Sequence, residues 1–461
     1  MKGAMLTALR LPEDVMRALG HRCVDLLVDH LVGLADEPVS AVELPSLDGV
    51  LPTGAAPDPG AVLEETCRLL RSGNAHPDHP RFLAFVPSPG NFVGVLASVL
   101  ATGFAVPGGW RLTAPLAADV ELTTLRWLVE LLGLPEGTGG LFVPGGSMGN
   151  LTALTVARDQ RGTGAAYFSD QTHFSVGRAL HVLGVGADMV RRLPSDRAQR
   201  LDVETLASAV RRDRRAGRRP FVVIANAGTP STGAVDPLPE LAEFCRAEGL
   251  WLHVDGAFGA AAALTEEGRR ELVGFGLADS WTVDPHKWLF QPAESGCVLL
   301  RRPEELRASF GVRLPGYLGG GGEGAGVQGD FMQYGIQQTR EFRALRLWLS
   351  LKVFGADAFR AAVAHGMRTA RELGRFIEAE PGVELVTPPS LAVLTFRCPG
   401  ADADRVCGEL RAEGDALVMP TTVAGERVFR LCTINPGSDV GELKDVVRRL
   451  RELSGAMRKG R

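Results

Sequence analysis

The chain has 461 residues, enough for two or three domains or for one large enzyme fold with appendages. Hydrophobic residues make up 45% and charged residues 23%, a globular balance that excludes a disordered, collagen-like or disulfide-scaffold protein. With 50 basic against 54 acidic residues the net charge is −4, so nothing overall draws the chain to nucleic acid or to an anionic membrane.

In chain order, residues 1–15 hold too short an apolar stretch before Pro12, Glu13 and Asp14 for a signal peptide. Amphipathic stretches at 14–34 and 61–70 flank a connector, 37–60, rich in proline and glycine. The first 75 residues have little core of their own and are expected to pack on something else. Residues 82–110 carry no formal charge, a run of 29 that is long enough to span a bilayer. Pro87, Pro89, Pro107, Asn91 and several glycines would leave its backbone groups unpaired in lipid. A buried core helix over 93–103, lining a pocket or a subunit interface, is the expectation there.

From about residue 141 short apolar runs read as strands, at 165–168, 189–193, 221–225, 250–254, 280–283 and 297–300. Helical stretches at 147–161, 174–183, 203–215 and 238–248 lie between them. This alternation predicts a largely parallel sheet covered by helices. The arginine-rich run 211–219 falls at a helix C-terminus and reads as a solvated helix end rather than a nucleic-acid patch. Residues 313–330 are glycine-rich, which predicts a mobile loop, and a long helix is expected over 337–354. Beyond 366, helix and strand alternate again, at 368–379, 392–397, 403–413, 428–433 and 440–453, as in a smaller α/β unit.

Four segments carry chemistry. The pentapeptide Asp284-Pro285-His286-Lys287-Trp288 directly follows a strand. A lysine there is costly to keep charged, and desolvation is expected to lower its pKa and make it nucleophilic. Only five of the 50 basic residues are lysines, and arginine cannot serve as an amine nucleophile, so Lys287 stands out. Asp255 ends the strand of His253-Val254-Asp255-Gly256-Ala257, at the sheet edge where ligands bind. The segment Pro144-Gly145-Gly146-Ser147-Met148-Gly149-Asn150 opens a helix whose first N–H groups suit a phosphate; a plain helix cap explains it equally. It matches neither a Walker A loop nor GxGxxG. His173 closes Ser169-Asp170-Gln171-Thr172-His173, where it can stack on a ring or move protons, or be a surface histidine. A phosphate cradle, a carboxylate, a nucleophilic lysine and a flat stacking group together are what pyridoxal phosphate requires.

On these motifs, with His79-Pro80-Arg81-Phe82, Gly228-Thr229 and Phe342-Arg343-Ala344-Leu345, the chain resembles the pyridoxal-phosphate-dependent group II amino-acid decarboxylases, among them the aromatic-L-amino-acid decarboxylases. The resemblance implies the aspartate-aminotransferase-like fold (fold type I), an α/β architecture, in an obligate homodimer with the active site at the subunit interface. It divides the chain into a helical segment on the partner subunit (1–75), a large cofactor domain (76–365) and a small C-terminal domain (366–461). It implies that Lys287 forms the Schiff base with pyridoxal 5′-phosphate and that Asp255 pairs with the pyridine nitrogen. His173 stacks on one ring face and Ala257 packs on the other. Gly146, Ser147 and His286 hold the phosphate, Thr229 joins the cofactor set, and Thr339 reaches it from the partner subunit. Tyr317, on the mobile loop, protonates the substrate carbon, while Phe85, Pro87 and Trp110 contact the substrate.

The implied activity is decarboxylation of an L-amino acid, aromatic by family, to its amine. Decarboxylation coupled to oxidative deamination, giving an aldehyde, ammonia and hydrogen peroxide, is the alternative, and a non-catalytic homologue a third. Departures from the family pattern are Pro230 after Gly228-Thr229, the glycine-rich loop 319–326, and Gly108-Gly109, which suggest a roomier or differently shaped pocket. His76 and His79 have H-x-x-H spacing but no third ligand nearby, so no metal is expected. Seven scattered cysteines without a CxxC pair read as reduced thiols of a cytoplasmic protein.

Overall fold

The computed structural model describes residues 9–41, 46, 47, 49, 51, 54, 56–87, 89–312 and 329–459. Helices α1 (Glu13–Gly33) and α2 (Pro59–Ser72) pair with each other, and neither buries a single residue. Helix α3 (Phe92–Gly103) starts where the Asn91 side chain accepts the Gly94 N–H, and it buries only Gly94 and Ala97. Helix α4 (Pro115–Leu131) buries eight residues along one face. No helix among the described residues is long and apolar enough to cross a membrane.

The main sheet has seven strands: β1 (Gly139–Val143), β2 (Ala165–Ser169), β3 (Val190–Leu193), β4 (Pro220–Asn226), β5 (Trp251–Asp255), β6 (Ser280–Val283) and β7 (Gly296–Leu300). Their order is β1-β7-β6-β5-β4-β2-β3. The four pairings from β6 to β3 are parallel, and β7 runs antiparallel to both β6 and β1. Every strand expected within 165–300 is present. Strands β4 and β5 are buried on both faces, which is why they read as unbroken apolar runs. Helices α5 (Gly146–Arg161), α6 (Phe174–Val182), α7 (Val203–Arg215) and α8 (Leu238–Glu248) make the crossovers, and the short helices α9 (Glu266–Glu271) and α10 (Glu304–Phe310) flank β6 and β7.

The long helix differs from expectation. Helix α11 runs from Ala344 to Ala379, beginning seven residues later than the pattern predicts, and its helical geometry breaks at Gly355 (φ +74°). The residues before it are held instead against the turn before α4. Gly108 N–H donates to Arg340 O (2.9 Å), and Arg340 Nη1 donates to Gly108 O (2.7 Å). A Cβ on Gly108 would lie 2.6 Å from Glu341 O, and one on Gly109 2.4 Å from Gln338 O. These two glycines therefore permit close backbone approach; of the two alternatives, a roomier or a differently shaped pocket, the first is not what they make. Arg340 also pairs with the buried Glu121 of α4 (2.7 Å), which itself accepts the Phe142 N–H (2.9 Å).

The second sheet is antiparallel, in the order β10-β11-β9-β8, from β8 (Glu384–Ser390), β9 (Val393–Arg397), β10 (Met419–Val423) and β11 (Glu426–Cys432). Helices α12 (Ala403–Glu413) and α13 (Val440–Lys459) cover it. Both edge strands escape the sequence pattern because they are half-exposed and carry prolines, which edge positions tolerate. The arm at 81–83 is laced onto this sheet: Leu83 N–H donates to Leu417 O (2.9 Å) and Leu83 O accepts the Cys432 N–H (3.0 Å).

Candidate active site

The C-terminal ends of the parallel strands open onto a cavity of about 830 Å3, lined among others by Gly146, Ser147, His173, Asp255, Ala257, His286 and Lys287. This is where an α/β sheet places a ligand. The loops after β1, β2, β5 and β6 thus bring the four chemical segments to one site.

Asp255 is held by a chain of hydrogen bonds. Residues 251, 253 and 255 share one face of β5 because side chains alternate along a strand. On that face Trp251 Nε1–H donates to Ser280 Oγ (2.8 Å), which stands 2.8 Å from His253 Nδ1. His253 Nε2 lies 3.0 Å from Asn150 Oδ1, and Asn150 Nδ2 donates to Asp255 Oδ2 (2.8 Å) and to Ser175 Oγ (3.0 Å). Ser175 Oγ in turn lies 2.7 Å from His173 Nδ1. The Asp255 carboxylate can only accept, which turns Asn150 Oδ1 toward His253 Nε2–H; the Ser175 N–H donates to His173 Nδ1 (3.3 Å), and burial favours the neutral form of both rings. Ser280 donates to His253 Nδ1, His253 Nε2–H to Asn150, and Ser175 to His173 Nδ1. Both histidines are then neutral, with the proton on Nε2. Burial lowers the His253 pKa to about 4, against the opposing pull of Asp255. Burial lowers that of His173 too, with Asp255 raising it.

Lys287 does not behave as the sequence alone suggests. Burial pushes its pKa down, but Asp284 Oδ2 stands 2.8 Å from Nζ, and this ion pair, with Asp255 behind it, leaves the pKa above the ordinary lysine value. The expected lowering is overturned because the carboxylate three residues upstream shares the same turn. That turn is fixed by Asp284 N–H to Ala257 O (3.2 Å) and Lys287 N–H to Asp284 O (2.9 Å).

The cradle at the start of α5 is shaped by absent side chains. A Cβ on Gly146 would lie 2.8 Å from Asp284 Oδ2 and 3.2 Å from Ala257 Cβ, and one on Gly145 3.1 Å from His286 Cε1. His286 Nδ1 accepts the Ser295 N–H (3.0 Å), which leaves Nε2 as the donor of a neutral ring. Burial lowers this histidine's pKa, against the pull of Asp284. The first N–H groups of α5, the Ser147 hydroxyl and His286 Nε2–H form a donor set of the kind a phosphate needs. With the Asp255 carboxylate and the Lys287 amine in the same cavity, these residues fit pyridoxal phosphate. That group, when bound, supplies a conjugated electron sink for the electron pair left by departing carbon dioxide.

The remaining expected residues are placed as follows. Phe85 lines the cavity and is exposed, while Pro87, Trp110, Thr229 and Thr339 do not line it. Thr229 Oγ1 faces Thr232 Oγ1 (2.9 Å), and Thr339 is exposed beside the buried Arg340. Tyr317, with the glycine run at 319–326, lies outside the described residues. Among the described residues, no cluster including His76 and His79 could hold a metal ion.

Several cavity residues carry no motif signal of their own. Asn226 N–H and Nδ2 donate to the buried Asp236 (2.6 and 2.8 Å), and Nδ2 also donates to Thr172 Oγ1 (3.0 Å), bracing the turn before His173. Arg430 of β11 is buried at the cavity wall, donating from Nε to Pro230 O (3.0 Å) and from Nη1 to Phe85 O, while Nη2 has no hydrogen-bond partner among the described residues. Asn150 could have been found by its position one helical turn after the cradle, facing the His253–Asp255 side of β5. Arg430 offers no such local clue, since its partners lie 200 and 345 residues away.

Residues 50–399 match the family model described as "Pyridoxal-dependent decarboxylase conserved domain". An aromatic-L-amino-acid decarboxylase of Bacillus atrophaeus is 42% identical over 97% of each chain. A phenylacetaldehyde synthase of Arabidopsis thaliana is 29% identical, covering 95% of this chain and 96% of the relative. A crystal structure of Oryza sativa TDC with PLP and tryptamine superposes with a TM-score of 0.89 at 26% identity, covering 97% of this chain and 99% of that one. With the fold, the cavity and the cofactor-fitting residues in agreement, the chain belongs to the family of pyridoxal-dependent decarboxylases.

Proposed function

We propose that this decarboxylase converts an aromatic L-amino acid to its amine and carbon dioxide, in a homodimer. The observation that carries the substrate class is the 42% identity, over nearly the whole of both chains, to an aromatic-L-amino-acid decarboxylase. In this reading Lys287 is the nucleophile that binds the cofactor and yields it to the amino acid. Asp255, aimed by Asn150, holds a proton at the pyridine nitrogen. His173 presents its neutral ring to the cofactor, with Ala257 as the second apolar contact. Gly146, Ser147 and His286 bind the phosphate. Arg430 Nη2 is a receptor for the substrate carboxylate, and Tyr317 delivers the proton to the carbon that carbon dioxide leaves.

The dimer reading rests on uncovered apolar surface. Helix α1 buries nothing, and Leu96, Val99, Leu100 and Phe104 are exposed along and just beyond α3. A second copy of this chain covers such a surface. The exposed Thr339 then has a route to the neighbouring cavity. The buried thiols of Cys245, Cys297, Cys407 and Cys432 suit the reducing, cytoplasmic setting proposed for it.

The test is a screen of the L-amino acids with holoenzyme, read by amine mass spectrometry and carbon dioxide release, with peroxide assayed in the same reaction. Aromatic amino acids should give amine and carbon dioxide in equal amounts and no peroxide. Carbon dioxide from acidic or small amino acids only would overturn the substrate class. Peroxide matching turnover would establish the aldehyde-forming outcome instead. Sedimentation at twice the monomer mass is expected, and a monomer would remove the dimer.

A further inference from the structure

Asp284 is a carboxylate in a place built for an anion. Its Oδ2 lies where a Cβ on Gly146 would touch it, against the first turn of α5, and its side chain is only 2% exposed. Its Oδ1 is buried and, among the described residues, has no hydrogen-bond partner. Among the described residues, the cation in contact with it is Lys287 Nζ at 2.8 Å; His286 Nε2 stands at 3.7 Å on a neutral ring. Both members of the pair sit in one backbone-bonded turn, so the contact is built into the turn after β6. Asp284 therefore has two neighbours with opposed requirements, an amine that must lose a proton to react and a cradle that must receive a phosphate.

We propose that Asp284 restrains cofactor loading, holding Lys287 as an ammonium and opposing the phosphate, so that capture is slow at neutral pH and quickens as pH rises. Capture joins the Lys287 nitrogen to the aldehyde carbon of pyridoxal phosphate and expels the aldehyde oxygen as water. Of the three ammonium protons, two leave in that water and one remains on the nitrogen of the new C=N bond. The overall step is neutral in protons, but the attacking nitrogen needs its lone pair free, and the ion pair opposes this. The other groups facing Lys287 are Asp255, which acts in the same direction, the neutral ring of His173, and Cys432, whose thiol burial keeps protonated. Asp284 is the nearest and the dominant charge.

The experiment strips holoenzyme to apoenzyme and mixes it with pyridoxal phosphate in a stopped-flow cell. The visible band of the C=N bond is followed across pH for wild type and Asp284→Asn. An opposite charge in contact moves a pKa by about one unit or more, so the midpoint of the rate profile should fall by at least that in the variant. Capture near neutrality should quicken by about tenfold. Pyridoxine 5′-phosphate, which carries the phosphate but no aldehyde, should bind the variant more tightly. An unchanged midpoint, or slower capture, overturns the proposal. Circular dichroism checks that the variant folds. If it does not, the wild-type profile decides: a rate still rising near about pH 9 supports the restraint, and a plateau below about pH 8, as for an amine governed by desolvation, overturns it.

Discussion

The Asn150 amide donates to the Asp255 carboxylate at 2.8 Å while its own carbonyl takes the proton of His253. Asn150 thus contacts a buried histidine on one side and aims the cavity-lining carboxylate of Asp255 on the other. Replacing it by alanine removes a hydrogen bond to a charged group, a loss of about 1.5–3 kcal/mol. Asn150→Ala is expected to lower kcat/KM by about tenfold to a hundredfold, to weaken cofactor binding and to lower the melting temperature, since His253 Nε2 and Asp255 Oδ2 lose a buried partner. Asn150→Asp should be worse, since it sets a second carboxylate against Asp255. Steady-state kinetics and equilibrium dialysis of the cofactor measure both.

Two buried titrating groups pull acid stability in opposite directions. His253 stays neutral in the folded protein down to about pH 4, whereas an unfolded imidazole protonates below 6.5. Between those values the unfolded state holds more protons, so stability is lost as pH falls. Asp236 is the reverse: burial raises its carboxyl to about 6 from 3.8, so between those values the folded state holds more protons and stability is lost as pH rises. Asp236→Asn removes the second effect and should steepen acid destabilisation between pH 4 and 6. The stability of the variant relative to wild type should swing by about 3 kcal/mol in its favour from acid to neutral pH. Urea unfolding at a series of pH values reads this swing, and parallel curves would refute it.

Removing the lysine should expose the cost of its partner. Lys287→Met should abolish carbon dioxide release. It should also destabilise the apoenzyme, because Asp284 is left charged at 2% exposure. Breaking a fully buried pair costs about 3–5 kcal/mol, and with 24% of the lysine side chain exposed the cost falls toward about 2 kcal/mol. The double variant Lys287→Met/Asp284→Asn should recover most of that loss. Denaturant midpoints of four apoenzymes, wild type, Lys287→Met, Asp284→Asn and the double variant, form the cycle.

A methyl group at Gly108 should strike backbone rather than a yielding side chain. Its nearest neighbour would be Glu341 O at 2.6 Å. Gly108→Ala is expected to cost about 1–3 kcal/mol and to displace the 338–342 segment with the exposed Thr339. Glu121→Leu attacks the same region by stranding Arg340 and should cost about 3–5 kcal/mol. Thermal unfolding of the holoenzyme reads both.

Much of the site is legible in the sequence, for a physical reason. Phosphate cradles, strand-end carboxylates and loop lysines depend on local backbone geometry, so Gly146, Asp255 and Lys287 announce themselves within segments of five to seven residues. What escapes depends on distant partners. Burial around Lys287 can be inferred from apolar neighbours, but the sign of its shift is decided by whether Asp284 turns toward it. Gly108 and Gly109 read as space when seen alone and as tight packing once residues 338–342 lie against them. The two edge strands β8 and β10 lack the apolar runs that reveal the central ones; the expected helix end at 354 falls beside the break at Gly355, but the helix resumes at once rather than at 368.

The arm at 81–83, stitched to Leu417 and Cys432, and the Phe85 carbonyl, held by Arg430, close the cavity with residues from opposite ends of the sequence. Such long-range closure forms late, because the loop must be gathered before the contacts reward it. During synthesis the main sheet can pair soon after residue 300 has emerged, but the substrate side of the pocket has no wall until β11 follows. A nascent chain halted before β11 would display the cradle and Lys287 to solvent, able to meet the cofactor yet unable to enclose an amino acid.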